Sequence, residues 1–333
     1  NLLLHFTQPP LPLLPFGPRL LLRWPWMFHA FRVLGVTSVI GMIRSFKPDV
    51  IVANDPFQAA FLARRFPIVW ELHDIPSLQH LGRAWLIRRI ARYAKAIVST
   101  NQLKLDAIRS IVHRMPPTIV LPNPISIDPS VYRAIEKSTA RKHRGIAPDE
   151  KTVVYAGQLY DWKGVDTLIS SAAFAPADVH IHIIGGIGED LERCRRLAAA
   201  LPATSASIIL HGLKPSEEIP QWLRAADIVA IPNSGKFEIS RRDTNPLKLY
   251  EALAAEAPIL ASDLPAIREA AGTSQAVRFV AADDEQAWGK AVTDLIVDAA
   301  AMDNMRRAAH ETFFLLPEAR AVKLLDFFRT LNG

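Results

Sequence analysis

Residues 153–169 read VVYAGQLYDWKGVDTLI. An apolar run ends at Gly157, a polar loop follows, and a helical pattern opens near Gly164. This strand–loop–helix unit decides the fold because it recurs along the chain. Before it come the apolar runs DVIVA (49–53), IVWEL (68–72), AIVST (96–100) and TIVLP (118–122). The unit's own strand is TVVYA (152–156). After it come VHIHII (179–184), SIILHG (207–212), IVAIP (228–232), PILAS (258–262) and AVRFV (276–280). Several are unbroken Val/Ile/Leu runs, as expected of strands covered on both faces. Helical patterns fill most spaces between them, so the expected class is α/β with parallel, doubly wound sheets.

The alternation breaks once. NPISIDPSVYRAIEKSTARKHRGIAPDE (123–150) holds three prolines and clustered charge with no strand period. It reads as an interdomain connection with a short helix near 130–143. Two Rossmann-like domains follow, at 1–124 and 150–315, with 125–149 as linker. Residues 316–333 carry a terminal amphipathic helix expected to pack back on the first domain. NLLLHF (1–6) is a candidate strand, but a proline-rich stretch follows it and no strand–glycine-turn–helix unit precedes Asp49.

Composition narrows the classes. The chain has 333 residues, half of them hydrophobic, enough for two cores. The single cysteine, Cys194, excludes an internal disulfide and fits a reducing compartment. The apolar opening, LPLLPFGPRLLLRWPWMF (11–28), is broken by prolines and arginines and cannot be a regular helix throughout. Residues 1–132 hold 15 Lys/Arg against 6 Asp/Glu, whereas the remainder holds 24 against 27. A basic amino half fits a phosphate-bearing substrate, a lipid surface or nucleic acid, or merely solvated helix faces.

Three stretches carry candidate chemistry. In DTNPLKLYE (243–251), Thr244 or Asn245 can cap a helix and Pro246 suits its first position. Leu247, Tyr250, Leu253 and Ala254 would share its apolar face. The N–H groups near Leu247 and Lys248 would favour an anion, and Glu251 can accept two hydrogen bonds from a vicinal diol. The plainer reading is a surface Lys248–Glu251 ion pair. Lys163 stands at a second helix entrance after Gly157, suited to phosphate oxygens or simply solvated. IIGGIGED (183–190) suggests a dinucleotide turn, but Leu191 falls where the third glycine belongs, so NAD binding is disfavoured. VWELHDIPSL (69–78) puts Glu71, His73 and Asp74 at a strand end, and ANDP (53–56) puts Asn54 and Asp55 at the neighbouring one. A histidine there could meet a sugar hydroxyl or sit satisfied in the core. No metal-ligand spacing, P-loop, nucleophile elbow, kinase set or nucleic-acid module is present.

Taken together, YAGQLYDWKGVDTLI (155–169), IIGGIGED, LHGLKPSEEIPQWLRAADIVAIPN (210–233) and NPLKLYEALAAEAPILASDLP (245–265) resemble, in order, the retaining GT-B glycosyltransferases of the large nucleotide-sugar-dependent family 4. The resemblance covers about residues 118–270. It implies two Rossmann-like domains facing a cleft. The first loop looks like the family's phosphate loop, with Lys163 at its lysine and Gln158 where an arginine is usual. Asp243 and Glu251 have the family's spacing of two acids with seven residues between them, the first usually Glu. By resemblance, Asp243 contacts the donor sugar and Glu251 the nucleotide ribose. Asn245, Pro246, Leu247 and Lys248 line the diphosphate and sugar pocket, and Gly157, Gln158, Gly186 and Leu213 are further donor contacts. ELHD (71–74) resembles the strand end whose histidine faces the donor sugar, which points to His73. The family's glycine-rich loop after the first strand is missing, which implies that an amino-terminal segment is absent.

The implied activity is retaining transfer of a sugar from a nucleoside-diphosphate-sugar to a saccharide or lipid-linked acceptor, in envelope or extracellular polysaccharide synthesis. No cofactor or metal is expected: Lys163, Lys248 and the helix start would meet the charge of the departing diphosphate. The basic first domain, RRIARYAKA (88–96) and the apolar opening suggest an anionic membrane surface on the cytoplasmic side as a partner, and no nucleic acid. The rivals are a GT-B nucleotide-sugar epimerase, a non-catalytic nucleotide-sugar-binding protein and an NAD-dependent oxidoreductase.

Overall fold

The computed structural model describes residues 40–73, 81–312 and 316–331. The strand expected at 1–6, the opening at 11–28 and Asp74 lie outside the described residues. The chain divides into two compact units, one of residues up to 100 with 104–121 and 324–333, the other of 101–103 and 122–323.

All ten apolar runs of the described region form strands. In the first unit they are β1 (Ile51–Ala53), β2 (Ile68–Leu72), β3 (Ala96–Ser99) and β4 (Thr118–Val120), parallel and in sequence order. Side chains alternate across a strand, so Trp70 and Leu72 face one side while Val69 faces the other. Helices Pro56–Leu62, Leu81–Tyr93 and Gln102–Arg109 cover the first side through Ala59, Ile87, Ile90 and Leu105. The end of helix Pro317–Thr330 covers the second, where Phe328 packs with Val69, Ala96 and Val98. Both faces are buried, which is why the strands read as unbroken apolar runs.

The second unit holds β5 (Lys151–Ala156), β6 (Val179–Ile184), β7 (Ser207–Gly212), β8 (Ile228–Ile231), β9 (Ile259–Ser262) and β10 (Val277–Val280). They form one parallel sheet in the order β10-β9-β8-β5-β6-β7. Strand order reverses between β5 and β8, and such a switch opens a crevice at the strands' carboxyl ends.

The stretch 125–149 does not run free as a linker. It forms helices Pro129–Arg133 and Lys137–Arg144, and buries Ile125, Tyr132, Ala140 and Ile146 in the second unit's core. Its charge clustering concealed this. Arg141 is only 5% exposed, yet every arm of its guanidinium finds an acceptor. Nε donates to Ala225 O (3.1 Å), Nη1 to the carbonyls of Ala147, Pro148 and Glu150, and Nη2 to Asp227 (2.8 Å). Lys137 Nζ reaches the other Asp227 oxygen at 2.6 Å. Burial opposes the ionised form of Asp227, but Lys137, the Thr152 N–H and Arg141 outweigh it and hold the carboxyl below its usual range.

Candidate functional site

The loops after β5 and β8 meet at the switch point. Gly164 closes the 3₁₀ turn Asp161–Lys163, and a Cβ on it would lie 2.0 Å from the carbonyl oxygen of Pro232, just past β8. Ser234 N–H and Ser240 Oγ both donate to Trp162 O, at 3.1 and 2.6 Å. Arg193, on helix Gly188–Ala199, pairs with Asp161 (2.6 Å) and Asp166 (3.3 Å) and donates to Leu159 O. These ties fix the loop that carries Gly157, Gln158 and Lys163.

Lys248 extends from helix Leu247–Ala254 onto this loop. Gly157 has φ +145°, and the Cβ it lacks would lie 2.2 Å from Lys248 Nζ. Only glycine leaves that notch open. The ammonium sits 3.9 Å from the centroid of the buried Tyr155 ring and donates to the Tyr155 hydroxyl. Tyr155 in turn donates to Gln158 O at 2.5 Å. Lys163 Nζ lies 3.7 Å from the Trp162 ring centroid. Among the described residues neither lysine makes an ion pair. Burial lowers Lys163 to about 8, and burial plus the charge of Lys163 carries Lys248 well below its ordinary value against the pull of Glu251.

The surface pair Lys248–Glu251 therefore does not form, because Lys248 turns to Tyr155 instead. Burial raises Glu251 above the usual carboxylate range, with Lys248 opposing. Tyr132 faces it: burial, then the Glu251 charge, raises the phenol, and among the described residues its hydroxyl has no hydrogen-bond partner.

Asp243 ends a π-helical turn, Ile239–Asp243, closed by Thr244 N–H on Ile239 O at 2.8 Å. The following helix starts differently from the expectation. Pro246 precedes it with φ −79° and ψ 77°, an inverse γ-turn in which Leu247 N–H donates to Asn245 O at 2.9 Å. No side chain caps the helix, and Leu247 N–H is occupied. Leu249 N–H goes to Pro246 O, so Lys248 N–H is left without an acceptor among the described residues. Asn245 Nδ2 is buried there with no hydrogen-bond partner among the described residues. The inward face is Leu249, Ala252, Leu253 and Ala254, whereas Leu247 is exposed and Tyr250 half-buried.

Gly186 lies under the loop, where a Cβ would strike the Leu159 side chain at 2.2 Å. Leu213, just past β7, is exposed, and so is Gln158. His73 directly follows β2 in the first unit, with Nε2 3.7 Å from Glu71, while Lys104 Nζ donates to the His73 carbonyl oxygen at 2.5 Å. Asp55 caps helix Pro56–Leu62 by accepting from Gln58 N–H (2.8 Å), a structural role. The sequence reading passed over Tyr155, Trp162 and Tyr132. Tyr155 had one signal, a phenol in the apolar end of a strand two residues before Gly157. Among the described residues no cluster of three or more His, Cys, Asp or Glu is placed to hold a metal ion.

Known proteins share this architecture. Residues 136–312 match the family described as Glycosyl transferases group 1. A D-inositol 3-phosphate glycosyltransferase of Thermobispora bispora is 22% identical over 233 residues, 67% of this chain and 52% of that protein. The corresponding protein of Nocardia farcinica is 29% identical over 201 residues, 57% of this chain and 43% of that protein. The chain spans about half the length of these curated relatives. Among solved structures, Anabaena HepE in complex with UDP superimposes with a TM-score of 0.71 at 20% identity, covering 90% of this chain and 79% of that one. Sucrose-phosphate synthase of Thermosynechococcus elongatus gives 0.72 at 18% identity, covering 89% and 77%. These likenesses show the fold, two Rossmann-like units of the GT-B class. Matched over more than half its length and built on that fold, this chain belongs to the glycosyl transferases group 1 family.

Proposed function

We propose that the protein transfers a sugar, with retention at the anomeric carbon, from a nucleoside-diphosphate-sugar to a saccharide or lipid-linked acceptor. One observation carries this reading: two half-buried lysines without a carboxylate partner among the described residues stand at the carboxyl end of β5, beside Glu251. Two desolvated cations call for an anion from outside the chain. A diphosphate fits, because its charge grows as the glycosidic C–O bond breaks, and Lys163 and Lys248 meet that charge without a metal. The acceptor hydroxyl attacks on the same face, and its proton passes to the departing diphosphate. Glu251 takes the ribose hydroxyls, and Asp243 the donor sugar near the reacting carbon. Asn245, Pro246, Leu247, Gly157, Gln158, Gly186 and Leu213 shape the donor pocket. His73 is assigned to the donor sugar on resemblance. HepE binds UDP and UDP-glucose, which makes uridine donors the first to test.

Calorimetry with UDP, GDP and their sugars tests the donor site, and a labelled donor with product analysis tests transfer and retention. Unaltered nucleotide affinity in both Lys163→Ala and Glu251→Ala would overturn the site.

The same reading assigns an anionic, lipid-linked acceptor and peripheral contact with the cytoplasmic membrane face, in envelope or extracellular polysaccharide synthesis. No described helix is long and apolar enough to cross a membrane. Arg88 and Arg92 are exposed on helix Leu81–Tyr93, Arg88 Nε donating to Ile111 O at 3.1 Å and the Arg92 guanidinium lying 5.3 Å from the Tyr93 ring centroid. Arg89 is half-buried instead: its Nε donates to Ala60 O at 2.8 Å and its guanidinium lies over the Phe61, Trp85 and Tyr93 rings. The charge-reversal test therefore belongs at Arg88 and Arg92, where unchanged binding to anionic vesicles would sink this part.

A further inference from the structure

Building on the diphosphate reading above, we propose that Tyr155 is a positioning residue: its hydroxyl holds the Lys248 ammonium in the notch beside Gly157 and joins it to the loop that carries Lys163. The geometry is specific. Tyr155 is fully buried on β5, so its ring cannot follow solvent or ligand. Its hydroxyl makes two bonds of opposite sense, accepting from Lys248 Nζ and donating to Gln158 O. One oxygen thereby links helix Leu247–Ala254 to the loop after β5. Burial, and then the nearby Cys194, keeps the phenol protonated far above its ordinary range, so its proton stays on the Gln158 side and a lone pair stays aimed at Lys248.

Lys248 needs such a holder. It has three N–H donors on a flexible stem, and the Tyr155 oxygen is its only hydrogen-bond acceptor among the described residues. The charged groups around it are Lys163 from the loop, which repels it, and Glu251 from its own helix, which does not reach ion-pair range. Without the hydroxyl, repulsion and desolvation would drive the ammonium out of the notch. With it, the ammonium waits at a fixed point where a phosphate oxygen completes its coordination.

The test is calorimetric binding of UDP, GDP and inorganic pyrophosphate to the full chain, with uridine and guanosine as phosphate-free probes. Tyr155→Phe keeps the buried ring and removes only the oxygen. It should weaken diphosphate binding about tenfold, the scale of one hydrogen bond to a charged group, and leave the nucleosides unchanged. Lys248→Met should show a selective loss at least as large, and the double variant should lose little more than Lys248→Met alone, because Tyr155 acts through Lys248. Additive losses, or a Tyr155→Phe loss that is equal for nucleoside and diphosphate, overturn the inference while the donor reading stands. A wild-type chain that binds neither nucleotide nor pyrophosphate overturns the donor reading beneath it.

Discussion

Lys248 donates to the hydroxyl of Tyr155, in a different βα unit, and not to Glu251 one turn along its own helix. An exposed pair three residues apart is worth a few tenths of a kcal/mol and leaves both charges in water. Here the helix start is packed against the end of β5, and the same lysine becomes a desolvated cation over an aromatic face. That geometry is poor for stability alone, and it suits a bound anion.

Removal of either cation should weaken donor binding. Lys163→Ala and Lys248→Met are each expected to lower UDP or GDP affinity by about ten- to a hundredfold, the range for lost charge-assisted hydrogen bonds. Calorimetry reads the affinities, and thermal melting checks that both variants fold.

Gly157→Ala should act on Lys248 without touching it chemically. The new Cβ would lie 2.2 Å from Lys248 Nζ, in a backbone conformation with φ +145° that alanine disfavours. Nucleotide affinity should fall at least as far as in Lys248→Met. Wild-type affinity in a folded Gly157→Ala protein would show that the notch is not used.

Affinity should depend on pH with a defined sign. Burial sets Lys163 at about 8 in the free protein, and a bound anion raises it. Below pH 8 Lys163 is already charged and its own contribution to affinity is constant. Above it, binding must take up a proton, so affinity falls by up to about tenfold per pH unit. The same shift makes folding stability rise with pH above 8, because the unfolded lysine still holds its proton there. UDP titrations from pH 7 to 9.5 check the first effect and urea unfolding the second.

Glu251→Gln should separate ribose from phosphate. It should weaken UDP or GDP binding about tenfold, through loss of acceptor capacity, and leave pyrophosphate unaffected. A parallel loss for pyrophosphate would instead place Glu251 in the electrostatics of the lysine pair.

Asp227→Ala should destabilise the second unit by about 3 kcal/mol, since it strands the buried Arg141 and the partly buried Lys137. Urea denaturation measures it. The carboxyl is held below its usual range, so this contribution should be intact at neutral pH and lost as pH falls through the folded value.

Much of the fold was legible in the chain itself. Most strands in the described region announced themselves as apolar runs, because a strand buried on both faces has little room for alternation. Lys163 after Gly157, and the stretch 243–251, were legible as candidates because loop and helix-start chemistry is local. Other features were beyond local reading. Arg141 and Lys137 read only as part of a charge cluster in a connecting stretch, whereas the fold packs them against Asp227, some ninety residues away. The inverse γ-turn at Pro246 overrode a conventional cap and turned Leu247 outward. The sequence determined which segments are strands and helices and which carry the candidate site's side chains. Tertiary structure alone decided which charges lose their water and what they meet, since desolvation depends on segments brought together from distant parts of the chain.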